Sequence, residues 1–292
     1  ALMPDQPSSN GPNEKNSDPE EVLHAAARFG DAPLDIAEVA LAFAALDRPG
    51  VLTDRYRQEL QAMSDAVHDR LAAVVDDGSA EQRATCVSQV LGEDLSFKGD
   101  SATYDDPRNA NLMHVIDRRK GLPVALGILY IHIARCQGWR AEGLNFPNHF
   151  LIRIHLDASQ FILDPFHQGR AMDALALRGL IRDMSNGKAD LTPAATKAVS
   201  DRQVLLRLQN NVKLRLYQSA GFTRALAVLE RMRILAPDLI DLQREAGMVN
   251  ARIGNLGAAI TLLRGYLEHP EASGAYQHEA ARVLQDLEKR LN

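Results

Sequence analysis

From about Pro19 to Leu95 the apolar positions recur at helical spacing. The clearest stretch runs from Leu34 to Leu46, with Leu34, Ala37, Leu41 and Ala45 near one face and Arg48-Pro49-Gly50 as its stop. A second helix fits Thr53 to Val75, stopped by Asp76-Asp77-Gly78, and a third fits Ala80 to Leu91, closed by Gly92. The loop Asp105-Asp106-Pro107-Arg108-Asn109 then leads to a short helix carrying Leu112, Val115 and Ile116. After Gly121-Leu122 comes Pro123, whose missing N–H costs little in the first turn of a helix. That helix is expected to run to Cys136 and end at Gly138. Val124, Leu126, Ile128, Leu129, Ile131 and Ile133 make it apolar nearly all round, which predicts a central, buried position.

The period then changes. From His149 to Leu156, Phe150, Ile152, Ile154 and Leu156 alternate with Leu151, Arg153 and His155, and Phe161-Ile162-Leu163 follows the turn residues Asp157-Ala158-Ser159. Two strands packed on an apolar helix make an α+β domain. Residues 170 to 200 read as a helix and a loop broken at Asn186-Gly187 and Pro193. The last ninety or so residues are helical and repeat internally. Gly221 matches Gly254, Ala225 matches Ala258, Leu229 matches Leu262 and Pro237 matches Pro270, each pair 33 residues apart. That is close to the 34-residue TPR period, although the large aromatic positions of a full TPR are mostly missing. A plain bundle of helical hairpins is the alternative.

Composition narrows the function classes. The formal net charge of −5 argues against a general nucleic-acid binder, and no apolar run is long enough to span a membrane. Two cysteines, Cys86 and Cys136, give neither a disulfide framework nor a CxxC metal motif, so a reducing, cytoplasmic setting is expected. Residues 1 to 18 are rich in Pro, Ser, Asn, Asp and Glu and are expected to be disordered. The expected organisation is this disordered start, an α+β domain over 19–200 and a helical repeat domain over 201–292.

The segments Gly121-Leu122-Pro123 to Gly138-Trp139, Asn145-Phe146-Pro147-Asn148-His149 and Leu163-Asp164-Pro165-Phe166 together resemble the transglutaminase-like (papain-like) fold. Leu34 to Leu46 and Asp117-Arg118-Arg119-Lys120 extend the likeness over about residues 20 to 290. The whole is similar to the SirB family, transglutaminase-like bacterial proteins with a C-terminal TPR segment. The resemblance implies a Gly-x-Cys at the start of the buried helix, a His at the start of the next strand and an Asp after the strand beyond. In that chemistry the thiolate attacks an amide, the His is its base and the Asp orients the imidazole. Carried over, the His is His149 and the Asp is Asp164, while the Cys position falls on Pro123, which has no nucleophile.

Cys136 does not fill that gap. It lies thirteen residues further along the same helix, about 20 Å away and rotated by roughly 220° from Pro123. It reads as a buried structural thiol, as does Cys86. His149 reads either as a remnant base held by Asp164 or as a histidine that stabilises its loop. His132, His155 and His167 form no spaced metal set, and no cofactor motif is present. Arg118-Arg119-Lys120 reads as a solvated helix end, with binding of an acidic partner as the alternative.

Three functions stay open. The first is a non-catalytic interaction or regulatory protein whose cleft and TPR-like face hold a protein partner. The second is an amide-processing cysteine hydrolase or transglutaminase relative that uses His149 and Asp164 with an unidentified nucleophile. The third is a hydrolase that activates water with the same pair. For the first, Ala225, Leu226, Leu229, Ala258, Ala259 and Leu262 are the expected buried positions of the tail. Gln209, Asn210, Lys213, Arg215, Arg244 and Asn250 are its expected binding surface.

Overall fold

The computed structural model describes residues 18–74, 79–272 and 274–291. The expected disorder of the first residues and the Asp76-Asp77-Gly78 stop lie outside the described residues, Asp18 apart. The chain begins with four helices: α1 (Pro19–Ala27), α2 (Ile36–Asp47), α3 (Asp54–Ala73) and α4 (Ala80–Ser88). Leu34 stays outside α2, because Asp35 caps it by accepting the Glu38 N–H at 3.2 Å. Gly92 does not end the third predicted helix. A π-helical turn, Gln89–Asp94, carries the chain through it. A Cβ on Gly92 would lie 2.3 Å from the Gln168 carbonyl oxygen, so this glycine serves a close crossing of two backbones.

Next come β1 (Lys98–Gly99), α5 (Leu112–Arg118) and β2 (Lys120–Gly121), with β1 and β2 forming a short parallel pair. Arg119, between α5 and β2, takes a left-handed conformation. The central helix α6 (Pro123–Cys136) has the predicted bounds, and Pro123 through Ile131 are all buried. It packs between the amino-terminal helices and an antiparallel sheet. The sheet comprises β3 (Arg140–Leu144), β4 (Leu151–Leu156), β5 (Ser159–Asp164), β6 (Arg170–Ala171) and β7 (Ala198–Val199), in the order β6-β5-β4-β3-β7. Gly127 of α6 lets the helix press on the sheet, since a Cβ there would sit 2.3 Å from the Phe150 ring. The opposite sheet face is covered by α7 (Ala174–Met184), which buries Leu177 and Ile181 with Leu144, Phe146 and Leu151.

Five helices complete the chain: α8 (Asp201–Gln218), α9 (Phe222–Leu235), α10 (Ile240–Ile253), α11 (Leu256–Glu268) and α12 (Gly274–Leu291). They form successive hairpins, but the repeat register differs from the predicted one. Ala258 is exposed and Leu262 half-buried, while Ala259 and Leu263 are fully buried. The equivalent of Ala225 is therefore Ala259 and that of Leu229 is Leu263, a spacing of 34. The backbone agrees, because the left-handed residues that close α8 and α10 are Ala220 and Gly254, also 34 apart. Matching glycine to glycine misplaced the frame by one, since the first turn uses alanine at that position. Leu226 is half-buried. α8 is shared: Val204, Leu205 and Leu208 enter the main core, and Leu216 joins the cluster under α9 and α10.

Three other expectations need correction. Gln209, Lys213 and Asn250 are buried rather than on a free surface, and Lys213 forms an ion pair with Glu245. Arg118 and Arg119 are not a solvated helix end. Arg118 bonds the buried Asp100 and Asn109, each at 3.0 Å, and Arg119 lies over the Phe97 ring and pairs with Glu59. Cys136 is exposed, whereas Cys86 is buried.

Candidate functional site

Phe146-Pro147-Asn148 turns the chain out of β3 towards β4, with Asn148 in the left-handed region at φ 52°. This places His149 ahead of β4 rather than in it, with Phe150 driven into the core behind. Arg207 of α8 fixes the turn from outside by donating to the backbone oxygens of His149 at 2.6 Å and Phe146 at 3.4 Å. Asp164 is the last residue of β5, and Oδ1 accepts the N–H groups of Phe166 at 3.1 Å and His167 at 3.4 Å. Pro165 suits the first position of this short 3-10 turn, so the carboxylate is held by its own backbone.

The two elements meet in a buried polar cluster. His149 Nε2 is 2.9 Å from Asp164 Oδ1, and His167 Nδ1 is 2.7 Å from Asp164 Oδ2. Asp164 is fully buried and His149 nearly so, while half of His167 is exposed. Burial pushes the Asp164 carboxyl up, but the hydrogen bonds and charges of the two imidazoles outweigh it and hold its pKa below the usual carboxylate value. Phe166 meets the His149 ring edge-on at 6.0 Å and fixes its plane. The Tyr130 hydroxyl of α6 is buried without a hydrogen-bond partner among the described residues, and burial together with the Asp164 charge pushes its pKa far up.

His149 Nδ1 has no hydrogen-bond partner among the described residues. His149 lines a cavity of about 310 Å3 together with Pro123, at the first position of α6, and Val124. An imidazole oriented by a carboxylate at the mouth of a cavity is the arrangement of a general base. Pro123, in the same cavity lining, offers no nucleophilic group. His149, Asp164 and His167 also place their ligand atoms within 4.8 Å of one another. Two imidazoles and a carboxylate could hold a divalent cation, which would have to displace the hydrogen bonds now joining them.

Residues 54–210 match the transglutaminase-like superfamily. The chain belongs to that superfamily. Among curated relatives it is 30% identical to a UPF0162 protein of Xylella fastidiosa over 189 residues, covering 64% of this chain and 67% of the relative. It is also 30% identical to a UPF0162 protein of Pseudomonas aeruginosa over 227 residues, 78% of this chain and 77% of that one. The F-box only protein 21 of Homo sapiens is 31% identical over 134 residues, 43% of this chain but 20% of that protein. No solved structure matches. Among the described residues no helix is long and apolar enough to cross a membrane.

Of the residues read from the sequence, His149, Asp164 and Pro123 converge on this region, and Cys136 lies at the far end of α6. Cys136 has neighbours of its own. Sγ is 3.6 Å from His132 Nε2, and His132 Nδ1 is 3.5 Å from Asp35 Oδ1. His155 bonds Glu142 at 3.1 Å, away from the cluster. Two participants were missed. His167 could have been found from its place three residues after Asp164, within reach of a carboxylate at a turn. Arg207 lies 58 residues beyond His149 in the chain, and no local pattern points to it.

Proposed function

We propose that this member of the transglutaminase-like superfamily is a non-catalytic interaction or regulatory module that uses its cleft and its helical tail to hold a protein partner. One observation carries the reading: a proline, which has no nucleophile, starts α6 and lines the same cavity as His149, so no acyl-enzyme can form on that residue. The retained His149–Asp164–His167 cluster then serves to shape and stabilise a binding cleft. The tail supports a partner role in its own way. Its helical hairpins repeat at 34 residues, the TPR period, and a groove of about 900 Å3 runs past Lys213, Tyr217, Arg244, Met248 and Val283. Cys136 with His132 and Asp35 favours a second reading, an amide-processing cysteine hydrolase with its nucleophile at the other end of the helix. The test is amidase and transamidase activity of the whole chain on peptide and glutamine-donor substrates. The expected result is none above background. Activity that vanishes in Cys136→Ala would overturn the non-catalytic reading and establish the second.

A further inference from the structure

The cavity beside His149 has a charge that no described residue answers. Among the described residues, Arg207 in its wall finds only two backbone oxygens as hydrogen-bond acceptors, with the Phe150 ring 5.5 Å from its guanidinium carbon. Its neighbours on α8 differ. Arg202 pairs with Asp31 and Asp238, and Arg215 pairs with Asp105. Arg207 has no carboxylate partner among the described residues. Burial holds its pKa below the usual arginine value, as expected of a desolvated cation without a counter-charge. Both of its hydrogen bonds leave from one terminal nitrogen, so Nε and the other terminal nitrogen keep their donors for a ligand.

The rest of the wall mixes apolar residues with neutral hydrogen-bonding ones. Asn148 and Asn210 are among its lining residues. The first turn of α6 reaches it through Pro123 and Val124, and no side chain caps that turn. The uncapped positive end of a fourteen-residue helix therefore adds to the field of the guanidinium. In an active relative of this architecture the same field would stabilise a thiolate. Here no described residue supplies the anion.

We propose that this cavity binds a carboxylate, held by Arg207 with Asn148, Asn210 and the start of α6. The single cationic side chain among the lining residues fits a monoanion better than a phosphate dianion, and its free donors each offer a charge-assisted hydrogen bond to a carboxylate oxygen. The volume admits the end of a chain or a small acid. The inference rests on the non-catalytic reading, which leaves the cleft for binding.

The test is NMR titration of the full chain, following the His149 ring and Arg207 Nε–H signals. The probes are sodium acetate, N-acetyl-Gly-Gly-Ala as the free acid, the same peptide as its C-terminal amide, and inorganic phosphate. Acetate and the free acid should give saturable shifts and the amide none. A free acid that binds more tightly than acetate marks a peptide terminus as the source of the carboxylate. Equal affinity marks a small acid. Arg207→Gln should weaken binding by about tenfold or more. Because Arg207 also ties the His149 turn, Asn210→Asp serves as a second variant: it leaves the arginine in place, installs a resident carboxylate beside it and should weaken binding too. Equal affinity for acid and amide, preference for phosphate, undiminished binding in both variants, or no saturable shift would each overturn the assignment. Cys136-dependent amidase activity would sink the non-catalytic reading while leaving a positive titration standing. A silent titration in an inactive protein would sink this inference alone.

Discussion

The two ends of α6 carry related side chains in opposite electrostatic settings. At its start, an Asp–His pair is buried beside a cavity, the helix dipole is positive and Pro123 is among the residues that line the cavity with His149. At its finish, Cys136, His132 and Asp35 form a similar series on the surface, where the dipole is negative. Cys136 is exposed as a residue, yet the groups around its sulfur desolvate it. That burial pushes the thiol up, Ser64 pulls it down in part, and the Asp35 charge adds to the rise. One end thus has the surroundings a thiolate needs and no thiol, and the other has a thiol in surroundings that keep it protonated. A Cys, a His and an Asp within a few ångströms do not make a nucleophile unless the local field favours the anion.

The largest difference between the ends should appear in stability. Asp164 is fully buried and accepts from two imidazoles and two backbone N–H groups, so Asp164→Ala leaves all of them without an acceptor. Breaking such a buried pair costs about 3–5 kcal/mol. Asp35→Ala removes a mostly exposed carboxylate whose main structural task is to cap α2, a loss of about 1 kcal/mol. Urea unfolding of both variants measures the two values, and equal losses would erase the contrast. Acid sharpens it. The folded pKa of Asp164 is depressed, so its stabilisation is complete above the ordinary carboxylate range and is lost as pH falls through the lowered value. Asp164→Asn should therefore flatten the acid limb of the stability curve.

A smaller effect concerns reactivity. Pro123→Cys, made with Cys136→Ser, puts a thiol at the positive end of α6 next to His149. Its thiolate pKa should fall below the free-cysteine value of about 8.5, and at pH 7 it should alkylate about tenfold faster than Cys136 in the wild type. Iodoacetamide rates against pH measure both. Amide turnover should stay near background, because an oxyanion hole and a substrate groove are also required. A pKa at or above the free value would mean that the His149 end no longer favours an anion.

How far the molecule can be read from its sequence follows the range of the signals. α6 is legible from end to end because Pro123 starts it, Gly138 follows it at φ 79° and its sides are apolar throughout. β3 was missed because Arg140–Leu144 is short and includes Gly143, so it has too little alternation to stand out, although it pairs with both β4 and β7. Gly92 was read as a stop because a glycine admitting a crossing backbone looks like a glycine ending a helix. The repeat frame slipped by one because Ala220, not Gly221, takes the left-handed turn. His149 and Asp164 were found through the motifs around them. The burial of Lys213 and the position of Arg207 depend on which helix lies opposite, which local periodicity does not encode.

The smallest predicted effect separates the two meanings of the Cys136 neighbourhood. Asp35→Asn keeps an N-cap acceptor for α2, since asparagine caps as well as aspartate, and removes only the charge. If Asp35 orients His132 as the third member of a working triad, losing it must slow the reaction of Cys136 with iodoacetamide. The electrostatics predict the reverse. Asp35 raises the thiol pKa, so its neutralisation should lower that pKa and increase the thiolate fraction at pH 7. The charge acts from near the surface through screening solvent, so the gain should be modest, about twofold. His132→Gln supplies the complementary arm. A triad would lose nearly all its reactivity there, whereas a bystander imidazole leaves the rate within about twofold. A faster Asp35→Asn variant together with an unimpaired His132→Gln variant would establish Cys136 as an ordinary surface thiol.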